Sequence, residues 1–205
     1  MSPRTAVAPE PLKDRLIAAV LAIAATRGID QATMREVAKE AGVSVGSVQY
    51  YCRTKDEMLL IACQHVVDRI MKRGQAVPRD GSVGSAIRAY AVEFLPLDDA
   101  RAAEQRVYLA FAARASVTPA LAQIQHTLTA RLRSDCAAAF RLARERGEGH
   151  GEFDAEAAAR ATVAIIDGLV LHLLTDPAGM SAAEAVEVLD SHLSRYVDIG
   201  REATD

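Results

Sequence analysis

The stretch GVSVGSVQYYCRTKDEM, from Gly42 to Met58, concentrates small and hydrogen-bonding side chains between two helical segments. Serine hydroxyls and a glutamine amide can exchange hydrogen bonds with the edges of nucleic-acid bases. Tyrosine hydroxyls and a lysine ammonium group can bind phosphates. Small residues at the start of a short helix also permit close approach, so this stretch is suited to insertion into the major groove of DNA.

Residues before and within this stretch are candidates for contacts with DNA. Gln49 can pair bidentately with adenine, and Arg35 can reach a guanine edge. Thr33 begins a helix whose free N–H groups can bind a phosphate. The other candidates are Ser44, Val45, Gly46, Ser47, Tyr50, Tyr51 and Lys55. The alternative role, packing within the helical unit, is the better interpretation for Gly42, Val43, Val48 and Tyr51.

Four predicted helices position these side chains. Apolar residues recur at helical spacing after Pro11 and stop at Gly28, which predicts the first helix. The second begins at the capping-box sequence 33–36 and runs to about Glu40. Ser44 can cap a third helix after a turn of three or four residues, which is helix-turn-helix geometry. A second capping-box sequence, 54–57, starts a fourth helix that is predicted to end near Gly74.

The remaining pattern predicts longer helices near 82–95, 99–115, 119–146, 154–175 and 182–199. Thr118-Pro119 has the form of a helix N-cap followed by proline, and 181–184 is a third capping-box sequence. No alternating pattern typical of strands is found. The sequence therefore predicts an all-α fold of about nine helices, with a helix-turn-helix domain over 1–55 and a helical bundle over 56–205.

Charge is distributed unevenly along the 205 residues. The net charge is −3, yet residues 1–55 hold eight Lys or Arg against five Asp or Glu. The remainder holds sixteen against twenty-two. A basic front joined to an acidic body favours a protein whose front approaches nucleic acid while its body is repelled.

Other chemistries find little support in the sequence. The cysteines, Cys52, Cys63 and Cys136, are odd in number and widely spaced, which favours reduced thiols. The five histidines are scattered, so no metal site and no cofactor are expected. The N-terminus lacks the apolar segment of a secretory signal, and no stretch is predicted to cross a membrane, so a cytoplasmic protein is expected.

The region from Thr33 to Leu59 resembles the TetR family of bacterial transcription regulators. The family pattern begins with Thr and continues Ile/Val-Ala-x-x-Ala-Gly-Val-Ser-x-Gly-Thr/Ser, ending with Ser/Thr-Lys-Glu/Asp and a leucine. It is met by Thr33, Val37-Ala38, Ala41-Gly42-Val43-Ser44, Gly46-Ser47-Val48, Tyr51, Thr54-Lys55-Asp56 and Leu59. Two positions depart from it: Gln49 stands where the family commonly has tyrosine, and Cys52 where it has a packing phenylalanine.

The resemblance implies a body that binds a small-molecule effector and changes the separation of two DNA-reading heads. Aromatic residues and three polar residues of the body are the candidates for the effector pocket, with ordinary core packing as the alternative for each. They are Tyr90, Phe94, Tyr108, Phe111, Gln64, Arg114 and His172.

The last two predicted helices have apolar faces broader than one terminal hairpin needs. Two such hairpins can form a four-helix dimer interface with two-fold symmetry, which predicts a palindromic operator. The candidates are Ala161, Ile165, Gly168, Leu169, His172, Val186, Leu189, Leu193 and Tyr196.

The expected function is that of a dimeric repressor of transcription that a small-molecule effector releases from double-stranded DNA. An activator of the same family is the first alternative. The second is an all-helical ligand carrier or enzyme. The enzyme is the weaker interpretation because the sequence shows no nucleophile–base pair, no Glu-x-x-His pair and no glycine-rich phosphate loop in context.

Overall fold

The computed structural model describes residues 11–79 and 81–200, and within them every regular element is helical apart from one isolated bridge. The helices are α1 (Leu12–Arg27), α2 (Met34–Glu40), α3 (Val45–Tyr51), α4 (Lys55–Ala76), α5 (Val83–Val92), α6 (Asp99–Ala115), α7 (Pro119–Glu145), α8 (Ala155–Thr175) and α9 (Ala182–Leu193). A 3₁₀ turn, Ile29–Gln31, lies between α1 and α2. The predicted all-α fold is confirmed.

The chain divides into two compact units, with the boundary between His65 and Val66. We call them the N-terminal and the C-terminal unit. The boundary lies inside α4, ten residues beyond the one that the sequence suggests. The first half of α4 belongs with α1 because Met58 and Ile61 line the same apolar void as Leu16 and Val20.

Only one of the three predicted capping boxes is complete. Ser181 Oγ accepts from the Glu184 N–H, and the Glu184 carboxylate accepts from the Ser181 N–H. Thr33 Oγ1 accepts from the Glu36 N–H, but the Glu36 carboxylate binds Arg27 at 2.8 Å instead. The tertiary ion pair replaces the local hydrogen bond to the Thr33 N–H because Arg27, at the end of α1, lies within reach of α2.

A comparable half-box begins α4. Thr54 Oγ1 accepts from the Glu57 N–H at 3.1 Å, while the Glu57 carboxylate accepts from the N–H of Arg53. At the start of α7, Thr118 forms no side-chain capping bond, so Pro119 alone marks that end.

Two helix ends differ from the predicted ones because of their neighbours. α4 continues through Gly74 to Ala76, since Gly74 is a packing position: a Cβ there would lie 2.8 Å from Tyr90 Cε2 and 3.0 Å from Phe94 Cζ. α5 ends at Val92 and tightens into i→i+3 bonds before Pro96, because proline disfavours helical geometry in the residue that precedes it.

The third difference is at the C-terminal end, where α9 stops at Leu193 rather than near 199. The following chain pairs with the loop between α7 and α8, where the His150 N–H donates to the Tyr196 carbonyl at 2.8 Å. It then passes so close to α5 that a Cβ at Gly84 would lie 1.9 Å from the Asp198 carbonyl oxygen. Tertiary packing therefore ends this helix.

In the C-terminal unit, α7 packs against α5, α6 and α8, and α9 packs against α8 and α5. The largest fully buried side chains of this unit include Leu95, Phe111, Phe140, Leu189 and Leu193. By length and a mean hydropathy of 1.6, α8 is apolar enough to cross a membrane. It is a core helix here, because its Ala158, Thr162 and Ile166 side is buried within the unit.

Candidate nucleic-acid interface and effector cavity

The recognition helix α3 is held at its start by a side-chain cap. Ser44 Oγ accepts from the Ser47 N–H at 3.0 Å and lies 2.9 Å from Ser47 Oγ. Gly42 makes the preceding turn with φ +63°, a conformation that costs glycine little. Val48 is fully buried and anchors the helix in the N-terminal unit. The opposite face of α3 is therefore free to meet a partner.

Most of the predicted DNA contacts lie on the surface of the N-terminal unit. Tyr50 has 86% of its surface exposed, and its ring meets that of Tyr51 edge to face at 5.7 Å. The exposed set is Thr33, Arg35, Ser44, Val45, Gly46, Gln49, Tyr50 and Tyr51, with Ser47 and Lys55 half-buried. The candidates on α3 are thus largely accessible around the helix, with Tyr51 on the side that borders Leu16 and Val20 of α1.

Two cations fix the connections around α3. Lys55 Nζ donates to the Asp30 carbonyl oxygen at 2.6 Å, so this ammonium group already serves the fold. Arg15 Nη2 donates to the Ala41 carbonyl oxygen at 2.5 Å, at the end of α2. Arg15 is not predictable from the sequence, since the carbonyl it binds lies 26 residues away and no local spacing indicates the contact.

Cys52, at the end of α3, is buried beside an apolar void of about 30 Å³. Leu16, Ile17 and Val20 of α1 line this void, which agrees with the smaller volume of cysteine where the family packs phenylalanine. Burial raises the pKa of the Cys52 thiol, and the Glu57 carboxylate raises it further. The group is therefore a protonated, unreactive thiol at neutral pH.

The C-terminal unit contains a cavity of about 330 Å³ among the end of α4, α5 and α7, which we call the effector cavity after the role that the sequence predicts for this unit. Its floor is formed by the buried residues Gly74, Ile87, Tyr90 and Cys136, and its rim by the exposed Arg79, Leu142 and Arg146. The space exists because Ala86, Ala138 and Ala139 project small side chains into it.

Tyr90 and Asp135 form the polar contact of this cavity. Tyr90 Oη donates to Asp135 Oδ2 at 3.0 Å, and Arg131 Nε donates to the same oxygen at 3.1 Å. Burial and the neighbouring Asp135 carboxylate raise the pKa of Tyr90 well above its ordinary value. Burial likewise raises the pKa of Cys136 to about 12. Both floor groups are therefore neutral at physiological pH.

The predicted pocket residues do not line one common cavity. Only Tyr90 lines the effector cavity, while Phe94 and Tyr108 border a separate void of about 20 Å³. Phe111 is fully buried in the core, and the half-buried Arg114 lines neither space. Gln64 belongs to the N-terminal unit, and His172 is exposed on α8. The choice of aromatic residues selected side chains of the core, whereas the cavity forms where the side chains are small.

The predicted dimer residues separate into two groups. Leu169, Leu189 and Leu193 are buried within the protomer, so packing inside the C-terminal unit accounts for their apolar character. Tyr196 packs its ring against Phe140 and Phe153 of the same protomer and is half-buried.

Ala161, Ile165, Gly168, His172 and Val186 retain partial or full exposure. Leu171 and Val188, which are not among the predicted residues, are each 44% exposed. We call Ile165, Gly168, Leu171 and Val188 the open face of α8 and α9.

Among the described residues, no group of His, Cys, Asp or Glu could hold a metal ion. What the structure offers is a capped recognition helix after a tight turn, followed by a larger helical unit with an apolar cavity. These features define a helix-turn-helix DNA-binding protein with a separate helical body.

Comparison with known proteins identifies the family. Residues 16–62 match the model of bacterial regulatory proteins of the tetR family, and residues 84–198 match that of the BetI-type transcriptional repressor C-terminal domain. The chain belongs to the TetR family of transcriptional regulators, and the resemblance of the region around α3 is confirmed.

Individual relatives agree along most of the chain. A transcriptional regulator from Rhodococcus sp. Rha1 is 37% identical, with a TM-score of 0.81 over 89% of this chain and 94% of its own. A transcriptional regulator from Saccharomonospora viridis, solved in complex with choline, has a TM-score of 0.84 at 21% identity over 91% and 97%.

The regulator BetI 2 from Chromohalobacter salexigens is 28% identical over 92% of this chain and 90% of its own. The protein is therefore a DNA-binding transcriptional regulator and not an enzyme.

Proposed function

We propose that this regulator is a repressor that binds a palindromic operator as a homodimer and dissociates when a small molecule occupies the effector cavity. The observation that carries the proposal is the exposed surface of α3, a helix whose N-terminus is capped by Ser44 and whose most exposed large side chain is Tyr50. Within residues 11–65, burial does not account for Tyr50, which has 86% of its surface in water and meets only the edge of the Tyr51 ring.

The DNA contacts follow from the positions of the side chains on α3. Gln49 reads a base edge, and Tyr50, Tyr51 and Ser44 bind phosphates at the groove wall. Thr33 and Arg35 bring the start of α2 to the backbone on the other side of the turn. Since several phosphates are bound, the affinity falls steeply as salt rises.

Dimerisation uses the open face of α8 and α9. This face carries apolar side chains that the protomer itself leaves accessible, notably Leu171 and Val188. A two-fold axis through it buries the same surface of both protomers and presents two α3 helices to successive major grooves. A palindromic operator is the consequence.

The effector cavity supplies the signal. Its size falls in the range of about 300–1,000 Å³ that small-molecule sites occupy. The match to BetI-type repressors and the choline complex of the Saccharomonospora viridis protein support a ligand-binding role for this unit. The ligand binds the DNA-incompetent dimer more tightly, and linkage then weakens operator binding by about 1–3 kcal/mol. We propose that the regulator meets both the operator and the small-molecule effector in the cytoplasm.

Selection of binding sites from a random-duplex pool tests this function. The expected result is an inverted repeat bound with a steep salt dependence, and weakened at least about tenfold by Tyr50→Ala with unchanged folding. Val117→Ala is the matched control, since Val117 is 81% exposed in the C-terminal unit. A folded wild-type protein that enriches no sequence would refute the proposal.

A further inference from the structure

The effector cavity is lined mainly by small and apolar side chains and carries two arginines at its rim. One face of α7 lines it with Asp135, Ala138, Ala139 and Leu142, at the spacing of successive helical turns, and Arg146, which caps the end of α7, continues this face. The inner end of this face carries Asp135, whose carboxylate is already paired with Arg131, then come two alanines, and the exposed end carries a guanidinium. The cavity is therefore polarised along α7.

The rim cations are available to a ligand. Within the described parts of the chain, neither Arg79 nor Arg146 is engaged in a side-chain hydrogen bond or ion pair, and both are exposed at the rim. The acid in the lining is different, because Asp135 already accepts from Tyr90 and from Arg131. Among the described residues that line the cavity, the charges left without a side-chain partner are therefore the two rim guanidinium groups.

The lining does not suit a quaternary ammonium compound. Such a cation is held by the faces of several aromatic rings or by a free carboxylate. Among the described residues of its lining, the only aromatic side chain is Tyr90, and its phenol donates to the only carboxylate, that of Asp135. The two guanidinium groups would repel a cation at the entrance.

We propose that the effector is an amphipathic anion, with an apolar chain that fills the cavity and a carboxylate or phosphate head bound by Arg79 and Arg146. This rests on the proposed function of the cavity as the effector site. The apolar chain displaces water from Ile87, Ala139 and Leu142. The head stays at the exposed rim, where two arginines can offer it paired N–H donors.

Binding of four ten-carbon probes to the intact protein, measured by calorimetry, tests the ligand class. The probes are decanoate, decyl phosphate, decanol and decyltrimethylammonium. The anions are expected to bind more tightly than decanol, and the ammonium compound most weakly. If decanoate leads, the head is a carboxylate, and if decyl phosphate leads it is a phosphate.

Variants of the rim and floor locate the site. Arg79→Gln and Arg146→Gln are each expected to weaken anion binding about tenfold, the loss of one charge-assisted hydrogen bond, and to leave decanol unchanged. Arg141→Gln is the matched control. Arg141 is an exposed residue of α7 that does not line the cavity, and it pairs with Glu156 of α8. Ala139→Leu reduces the volume of the cavity and should weaken the binding of all four probes.

The ligand class and the signalling role fail separately. Tighter binding of decyltrimethylammonium than of decanoate, anion binding indifferent to both rim arginines, or no binding of any probe up to about 1 mM would overturn the anion proposal. Arg-dependent anion binding that leaves the selected operator bound would uphold the ligand class and overturn the release mechanism. Operator binding by the free protein is measured first and is independent of both.

Discussion

Arg88 on α5 and Asp190 on α9 form a two-point ion pair between positions 102 residues apart, with Nε 2.7 Å from Oδ1 and Nη2 3.1 Å from Oδ2. Asp190 is completely buried, whereas Arg88 is about one-third exposed. The guanidinium fork therefore brings a compensating charge from the surface to a carboxylate that has lost its water. The pair fixes α9 against α5.

Removal of this guanidinium should destabilise the C-terminal unit strongly. Arg88→Met keeps the apolar stem and leaves the buried carboxylate without this charge, at a cost of about 2–4 kcal/mol once the partial exposure of Arg88 is considered. Arg160→Met is the control, since Arg160 and Asp154 are exposed and 3.9 Å apart. Urea unfolding measures both, and equal losses would contradict the special role of Arg88.

Filling the void beside Cys52 should stabilise the N-terminal unit. Cys52 has the extended backbone φ −138°, ψ 118°, which suits a β-branched residue. Cys52→Val adds a methyl group to a space of about 30 Å³, so we expect a gain of about 0.5–1 kcal/mol in the free energy of unfolding. Cys63→Val, at a buried position that does not line the void, is the comparison. A loss in Cys52→Val would mean that the void is too narrow.

The helices were predictable wherever a local signal sufficed. Ser44 as the cap of α3 and Ser181-Glu184 at α9 follow from residue types at fixed spacing. Long-range packing was not predictable: Gly74 has the appearance of a helix end but makes room for Tyr90 and Phe94. The recognition face needed only local pattern, whereas the effector cavity depends on where small side chains from α4, α5 and α7 meet.

Ser44 should separate helix capping from DNA binding. Ser44→Ala removes the acceptor of the Ser47 N–H and should cost about 1 kcal/mol of stability. Ser44→Asp keeps an acceptor of equal quality and favours the helix N-terminus, but its charge faces the DNA phosphates. We expect near-native thermal unfolding and an operator affinity reduced at least about tenfold, measured by fluorescence anisotropy. Native affinity in the Asp variant would exclude a phosphate next to Ser44.

His192 should make the stability of the C-terminal unit depend on pH. Its Nε2 lies 2.9 Å from Thr162 Oγ1, and the Thr162 hydroxyl already donates to the Ala158 carbonyl, so Nε2 carries the proton and donates. Burial, together with nearby Arg195, lowers the pKa of His192. The unfolded chain therefore binds this proton at a higher pH than the folded one.

The stability that depends on neutral His192 is consequently present above the unfolded pKa of about 6.5 and is lost as the pH falls below it toward the lower folded value. His192→Gln keeps an N–H donor without the titration, so its stability should fall less between about pH 7 and 5.5. His126→Gln, at an exposed position on α7, is the control. An equal fall in the free energy of unfolding for wild type and His192→Gln across this pH range would contradict the assignment.

Gly168 offers the sharpest test of the dimer surface. A Cβ at this position would meet no atom within 4 Å in the protomer, so a long side chain there is compatible with folding. Gly168→Arg would instead bring two guanidinium groups to the two-fold axis if the open face of α8 and α9 is the interface. We expect native helicity, a monomer of 21.9 kDa by sedimentation velocity and an operator affinity at least about tenfold lower, because the half-sites are then bound independently. Val117→Arg is the control: Val117 is 81% exposed and lies outside the open face, so this variant should remain a dimer. A dimeric Gly168→Arg protein would move the interface elsewhere while leaving the recognition helix and the effector cavity as described, since neither contains a residue of this face.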